Sequence, residues 1–163
     1  MITGSFASTY HGVTRTTLDI DVVIDPTPAN LARLVSLFEE QGFYVSSDHA
    51  KTALQFRSQF NAIHMASVWK VDLIICKDRP FSKSEFNRRV PATILGVDTF
   101  VASAEDTILA KLEWSKDSGS EKQLRDIEGI IELKAGRLDR EYMEKWAKEL
   151  GVHGTWSGLP WRS

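Results

Sequence analysis

The stretch Leu18-Asp19-Ile20-Asp21-Val22-Val23-Ile24 constrains this chain more than any other. β-Branched residues dominate it, so it reads as a strand. Side chains two apart on a strand share a face. Asp19 and Asp21 are therefore expected side by side, with Leu18, Ile20 and Val22 pointing the other way into a core. Two adjacent carboxylates repel, and one holds a proton unless a cation binds both. Mg²⁺ suits such a pair, because it takes one or two protein carboxylates and keeps positions for water and phosphate oxygens. Upstream, Gly4-Ser5 reads as a small-residue turn opening a short helix, which offers backbone N–H groups to a phosphate. Thirteen residues, Phe6 to Leu18, separate Ser5 from Asp19. A lone Asp-x-Asp or Gly-Ser is common and says little. The two together, with a helix-length spacer and a hydrophobic strand beneath the aspartates, suit a metal-bound nucleoside triphosphate.

Composition narrows the setting. At 163 residues and 42% hydrophobic, the chain has material for one domain with a real core. Twenty basic residues against 22 acidic give a net charge of −2, which is no general lure for nucleic acid or anionic membrane. An RNA partner would need a local basic patch. Cys76 is the only cysteine, so no internal disulfide forms and a cytoplasmic setting is expected. The four histidines lack zinc-like spacing, and no apolar run reaches membrane-spanning length.

Along the chain, Met1-Ile2-Thr3 reads as the tail of a strand and Phe6 to Gly12 as a short helix. Ala29 to Gln41 carries Leu31, Leu34, Val35 and Phe38 at helical spacing. Phe43–Val45, Leu54–Arg57 and Ala62–Ala66 are candidate short strands, and Trp69 to Cys76 is a clearer one. Ser82 to Val90 suggests a helix, and Ala92–Leu95 with Thr99–Val101 a hairpin around Gly96. From Ser103 the pattern turns helical. Ser103-x-x-Asp106 resembles a capping box ahead of Ile108, Leu109 and Leu112. Two further helices, around Leu124–Ile131 and Asp139–Leu150, precede a tail with Trp156 and Trp161 that is expected to pack as irregular chain. The fold class is α/β (α+β): a mixed β-sheet with crossover helices, followed by a C-terminal helical cap. The expected division is a core over 1–102 and a helical extension over 103–163.

Asp72 interrupts the apolar run Val71-Asp72-Leu73. A buried carboxylate there needs a metal or an ion-pair partner, and Lys70 is the candidate partner. Trp69, Trp114 and Trp146 read as core, His11 as a loop residue, and Lys77 and Arg79 as a solvated turn.

On these residues the chain resembles the nucleotidyltransferase superfamily that includes DNA polymerase beta and the minimal nucleotidyltransferases. The resemblance rests on Gly4-Ser5, on Asp19-Ile20-Asp21, and on a third acid at Asp72, and spans roughly residues 1–135. The wording Gly4-Ser5-Phe6-Ala7, Tyr10-His11-Gly12 and Arg15-Thr16-Thr17-Leu18-Asp19-Ile20-Asp21 is similar to the abortive-infection toxin type. The resemblance implies a nucleotidyltransferase-like fold and transfer of a nucleoside monophosphate from an NTP such as ATP to an acceptor hydroxyl, with pyrophosphate released. It implies Asp19, Asp21 and Asp72 as catalytic ligands of Mg²⁺ (or Mn²⁺). It further implies Lys111 as catalytic and Gly4, Ser5, Arg15, Thr17 and Asp126 as nucleotide-binding. The competing reading puts Lys111 on a solvated helix face and pairs Asp126 with Arg125 or a cap residue. The acceptor stays open among tRNA, protein and an aminoglycoside-like small molecule. A toxin–antitoxin or phage-defence setting, with a cognate antitoxin protein, is a further implication, and no membrane partner is expected. The family usually starts with a helix and strand ahead of Gly-Ser, so an upstream segment covering the sheet beside Met1-Ile2 is expected to add stability.

Two rival classes share some of these residues. A catalytically inactive nucleotide- or partner-binding module of the same fold would be expected to lose its carboxylates first. A metal-dependent glycosyltransferase would need a long nucleotide-binding domain before its Asp pair.

Overall fold

A computed structural model describes residues 1–14, 16–67, 69–134 and 136–161, with backbone alone at 117 and 118. Arg15 therefore lies outside the described residues. The first half runs β1 (Ile2–Thr3), α1 (Gly4–Tyr10), β2 (Asp19–Ile24), α2 (Pro28–Glu40), β3 (Phe43–Val45), α3 (Ser47–Phe56), β4 (Gln59–His64) and β5 (Lys70–Ile75). The second half runs α4 (Pro80–Asn87), β6 (Val90–Ile94), β7 (Val97–Val101), α5 (Ala104–Ser118), α6 (Glu121–Lys134), α7 (Arg140–Glu149) and α8 (His153–Ser157). The strands form one seven-stranded mixed sheet in the order β3-β4-β5-β2-β1-β7-β6. β2 and β5 pair in parallel at its centre, while β1 joins β2 antiparallel and β7 parallel.

Strand alternation gives the two sheet faces different jobs. Leu73 and Ile75 of β5 pack with Phe60, Ala62 and Val45 against Leu31 and Val35 of α2 and Ala50 and Ala53 of α3. The opposite face of the central strands carries Asp19, Asp21 and Val23 of β2 and Lys70, Asp72 and Ile74 of β5. A second core joins α5, α6, α7 and α8 through Ile108, Leu112, Ile127, Ile130, Met143, Trp146 and Trp156, with Phe81 of α4 inserted. The cap is thus interlocked with the core at α4.

Several local expectations need correcting. Leu54–Arg57 is the last turn of α3 and its C-cap. Ser46 caps the N-terminus by accepting the His49 N–H, and buried Ala50 and Ala53 lie three apart, a helical spacing. Arg57 ends it at φ 49°, held by bonds from Nη1 to Asp25 Oδ1 at 2.8 Å and the Cys76 carbonyl at 2.7 Å. Leu18 is 54% exposed, because the strand begins one residue later. The tail is not wholly irregular: α8 buries Trp156. The hairpin holds, with Leu95 and Gly96 at φ 51° and 80° making its two-residue turn. The capping box forms by half. Ser103 Oγ accepts the Asp106 N–H at 3.1 Å, and its hydroxyl donates to Asp106 Oδ2 at 2.7 Å.

Candidate active site

The parallel β2–β5 register sets Asp21 beside Asp72 and Asp19 beside Lys70. Thr3 of β1 flanks Asp21 on the other side. Lys70 Nζ lies 2.9 Å from Asp72 Oδ2 and 3.7 Å from Asp19 Oδ1, so one ammonium bridges both strands. The hydrogen bond to Asp72, reinforced by the three carboxylates, raises the Lys70 pKa. Asp21 shifts the other way from a usual paired acid. Burial, then repulsion from Asp72 and Asp19, raises its pKa, opposed by a hydrogen bond from the Ser5 backbone N–H.

Chain reversal from β1 into α1 needs Gly4. It sits at φ 61°, and a Cβ there would fall 2.0 Å from Asp21 Oδ2. Gly4→Ala combines a strained backbone with that overlap, so we expect a loss of about 1–3 kcal/mol. Urea titration of the variant measures it. His11 sits in the turn that caps the far end of α1, as expected of a loop residue, but it is buried, with Nε2 2.8 Å from the Ala102 carbonyl. Burial depresses its pKa. The contact anchors α1 to the segment leading into α5.

Between this turn and α5 lies a cavity of about 160 Å³ lined by Thr3, Gly4, Ser5, Asp21, Ile74, Thr107, Ala110, Lys111, Trp114 and Gln123. Lys111 is 5% exposed and lines it. Its Nζ reaches Asp126 Oδ2 and Gln123 Oε1, each at 2.8 Å. The solvated-surface reading of Lys111 is therefore overturned, and Asp126 pairs with Lys111 across the α5–α6 turn rather than with Arg125. Arg125 instead faces Glu121 at 3.5 Å. Thr107 Oγ1 is buried without a hydrogen-bond partner among the described residues. Thr17 lies outside the cavity lining, its hydroxyl 3.2 Å from the Asp19 carbonyl.

Two further cavities lie along β5 and share Ser58 and Gln59 with each other. One of about 330 Å³ holds Asp72 with His49, Thr52, Ser58, Gln59 and Asn61. The other, about 390 Å³, shares Thr3, Ile74, Ala110 and Trp114 with the first and reaches Arg79, Phe81, Glu85 and Glu113. Arg79 is no solvated turn residue: it grips Glu113 bidentately at 2.5 and 2.6 Å. Trp69 and Trp114 are 36% and 61% exposed, so only Trp146 of the three is core.

Glu85 is 8% exposed. Burial pushes its pKa up to about 8; Asp106 and Glu113 add to the rise, and Arg79 and Lys77 oppose it. The fold thus holds a proton that the unfolded chain releases near 4.5, and that stabilisation is lost as pH rises through about 8. Between pH 6 and 9 this amounts to about 2–3 kcal/mol. Glu85→Gln is expected to remove that much of the pH dependence, read by chemical denaturation at both pH values.

The donor set fits a hard divalent cation: three carboxylates, all oxygen, with Asp21 held in mutual repulsion that a cation relieves. Among the described residues, no three acidic, histidine or cysteine side chains converge as a ready-made metal cage. Lys70 bridges Asp19 and Asp72 instead. Sequence reasoning missed Thr107, Gln123 and Glu85. Thr107 lies four residues before Lys111, so it shares that helix face. Glu85 lies four residues after Phe81, on the apolar face of α4.

The assembled fold is that of the nucleotidyltransferases. The chain is similar to the antibiotic-resistance factor ANT(2'')-Ia at 17% identity, covering 96% of this chain and 84% of that one, with a TM-score of 0.58. It is similar to the lincosamide antibiotic adenylyltransferase LnuA, lincomycin-bound, at 14% identity over 79% of this chain and 83% of that one, TM-score 0.52. An antigenic nucleotidyltransferase-like protein from Paracoccidioides brasiliensis shares 18% identity over 96% and 81% of the two chains, TM-score 0.52. No family model and no curated protein matches the sequence. No described helix is long and apolar enough to cross a membrane.

Proposed function

We propose that this chain is a metal-dependent nucleotidyltransferase acting on a small hydroxylated acceptor. The observation that carries the reading is Gly4 closing its backbone onto Asp21, in register with Asp72, at the mouth of a cavity whose wall holds Lys111. Asp19, Asp21 and Asp72 would hold Mg²⁺ or Mn²⁺. When bound, such ions neutralise phosphoryl charge and activate the attacking oxygen. The Ser5 N–H, which bonds Asp21, is the group that would turn to a phosphate oxygen. Thr107 Oγ1 supplies a second, uncommitted polar atom in the same cavity. Lys111, held by Asp126 and Gln123, fixes positive charge beside the leaving pyrophosphate.

In the reaction, the acceptor oxygen forms a bond to the α-phosphorus and the bridging α–β P–O bond breaks. The hydroxyl proton passes to Asp72, and pyrophosphate departs. The cavity around Asp72 offers hydroxyl, amide and imidazole groups, which suit a polyhydroxylated molecule. Two of the similar structures are named for antibiotics, and the net charge of −2 gives RNA little general attraction. The sequence wording shared with abortive-infection toxins keeps tRNA and protein in the test panel, together with a toxin–antitoxin or phage-defence role.

The test is incubation with each NTP, Mg²⁺ and a panel of aminoglycoside, lincosamide, tRNA and protein acceptors. Metal-dependent pyrophosphate release with a small-molecule acceptor is the expected result. Release with tRNA or protein alone would overturn the acceptor class. Failure with every acceptor, with no thermal stabilisation by millimolar Mg²⁺–NTP, would overturn the activity.

A further inference from the structure

Resting on the proposed nucleotidyltransferase reading, we infer that the cavity over the C-terminal ends of β2 and β5 is a nucleobase subsite, in which Glu85 pairs with the base edge and Trp114 covers its face. The cavity encloses about 390 Å³, at the scale of a small-molecule site. It borders the triphosphate cavity, the two sharing Thr3, Ile74, Ala110 and Trp114 as walls. A ligand whose phosphates rest at Gly4 and Ser5 therefore has room for its nucleoside alongside α5.

Glu85 gives the cavity its chemistry. The residue is more than nine-tenths buried and its carboxyl makes no hydrogen bond among the described residues, although it lines open space. A buried carboxyl without partners is costly, and a ligand that satisfies it recovers that cost. Held neutral at pH 7, the acid offers one O–H donor next to one carbonyl acceptor. Every nucleobase presents an adjacent donor and acceptor on its pairing edge, so the match is to a base rather than to an apolar group. Trp114 is 61% exposed and lines both cavities, where an indole face can stack on a planar base. The remaining polar groups speak against an amine-bearing occupant. Arg57, Lys77 and Arg79 line the cavity against Glu113 and Glu85, so positive charge already predominates. Arg79 and Glu113 are spent on each other, and Arg57 on Asp25 and the Cys76 carbonyl.

The experiment compares Mn²⁺-dependent binding of ATP, CTP, GTP and UTP with that of inorganic tripolyphosphate, which has no base. Wild type, Glu85→Gln, Glu85→Leu and Trp114→Ala are titrated calorimetrically. The amide of Glu85→Gln keeps a donor beside an acceptor, so it should preserve NTP affinity. Glu85→Leu and Trp114→Ala should each weaken the preferred NTP about tenfold, one hydrogen bond or one stacking contact, and leave tripolyphosphate unchanged. A purely structural role for Glu85 would move both ligands together. NTP affinity unchanged in Glu85→Leu would overturn the base subsite while leaving the triphosphate site standing. Polyamine binding that disappears in Glu85→Gln would overturn it in favour of an amine. Wild type that binds neither tripolyphosphate nor any NTP would overturn the underlying function as well.

Discussion

Lys111→Ala is expected to destabilise the chain by about 3–5 kcal/mol, because it removes one member of a buried ion pair with Asp126. The two side chains are 6% and 8% exposed and 2.8 Å apart. Removing the ammonium takes away a 2.8 Å contact from a carboxylate buried away from water, and Gln123 Oε1 loses the Lys111 donor as well. For a chain of this size the melting midpoint should fall by roughly 10 °C. The pair itself need not be strongly stabilising, since replacing both members removes the desolvation cost together with the attraction. Lys111→Met with Asp126→Leu should therefore recover most of the loss. Calorimetric melting of the single and double variants measures this. A single variant within about 0.5 kcal/mol of wild type would return Lys111 to the ordinary surface class.

The second large effect divides the aspartates. Asp21→Asn should abolish metal-dependent NTP binding and lower turnover at least about 100-fold, the upper end of what changes around a metal ion cost. Asp72→Asn should keep most NTP binding and lose turnover comparably, because its contribution is made mainly in the transition state. Asp21 is bonded by Ser5 at the phosphate end of the site, whereas Asp72 lines the cavity proposed for the acceptor. Without metal, Asp21→Asn should raise stability at neutral pH. The fold resists ionising that carboxyl, so the stability it contributes falls as pH rises from the unfolded pKa toward the folded one. Full turnover in Asp72→Asn would remove it from the catalytic set.

What the sequence discloses follows from which interactions are local. Asp19 and Asp21 are legible as neighbours because strand side chains alternate with period two. The strand Lys70–Ile75 is legible from its apolar run, and Asp72 from its interruption. Pairing of Asp21 with Asp72 depends on a register set by a parallel crossover through α2, β3, α3 and β4, which no short window contains. The Lys111–Asp126 partnership is hidden for the same reason. α5 and α6 must first fold back at Gly119, φ 61°, before residues fifteen apart can meet. Leu54–Arg57 misleads because Leu-Gln-Phe-Arg alternates like a strand, while the Ser46 cap that starts α3 lies well upstream. Trp114 reads as core by residue type alone. It faces the cavity because the apolar stripe of α5 runs through Ile108, Leu109 and Leu112.

The most direct test of the account is calorimetric titration of wild type and Asp21→Asn with NTP, with and without Mn²⁺. Wild type should bind NTP saturably and only with the metal, and that binding should vanish in the folded Asp21→Asn variant. NTP binding that ignores the metal, or survives Asp21→Asn unchanged, would contradict it.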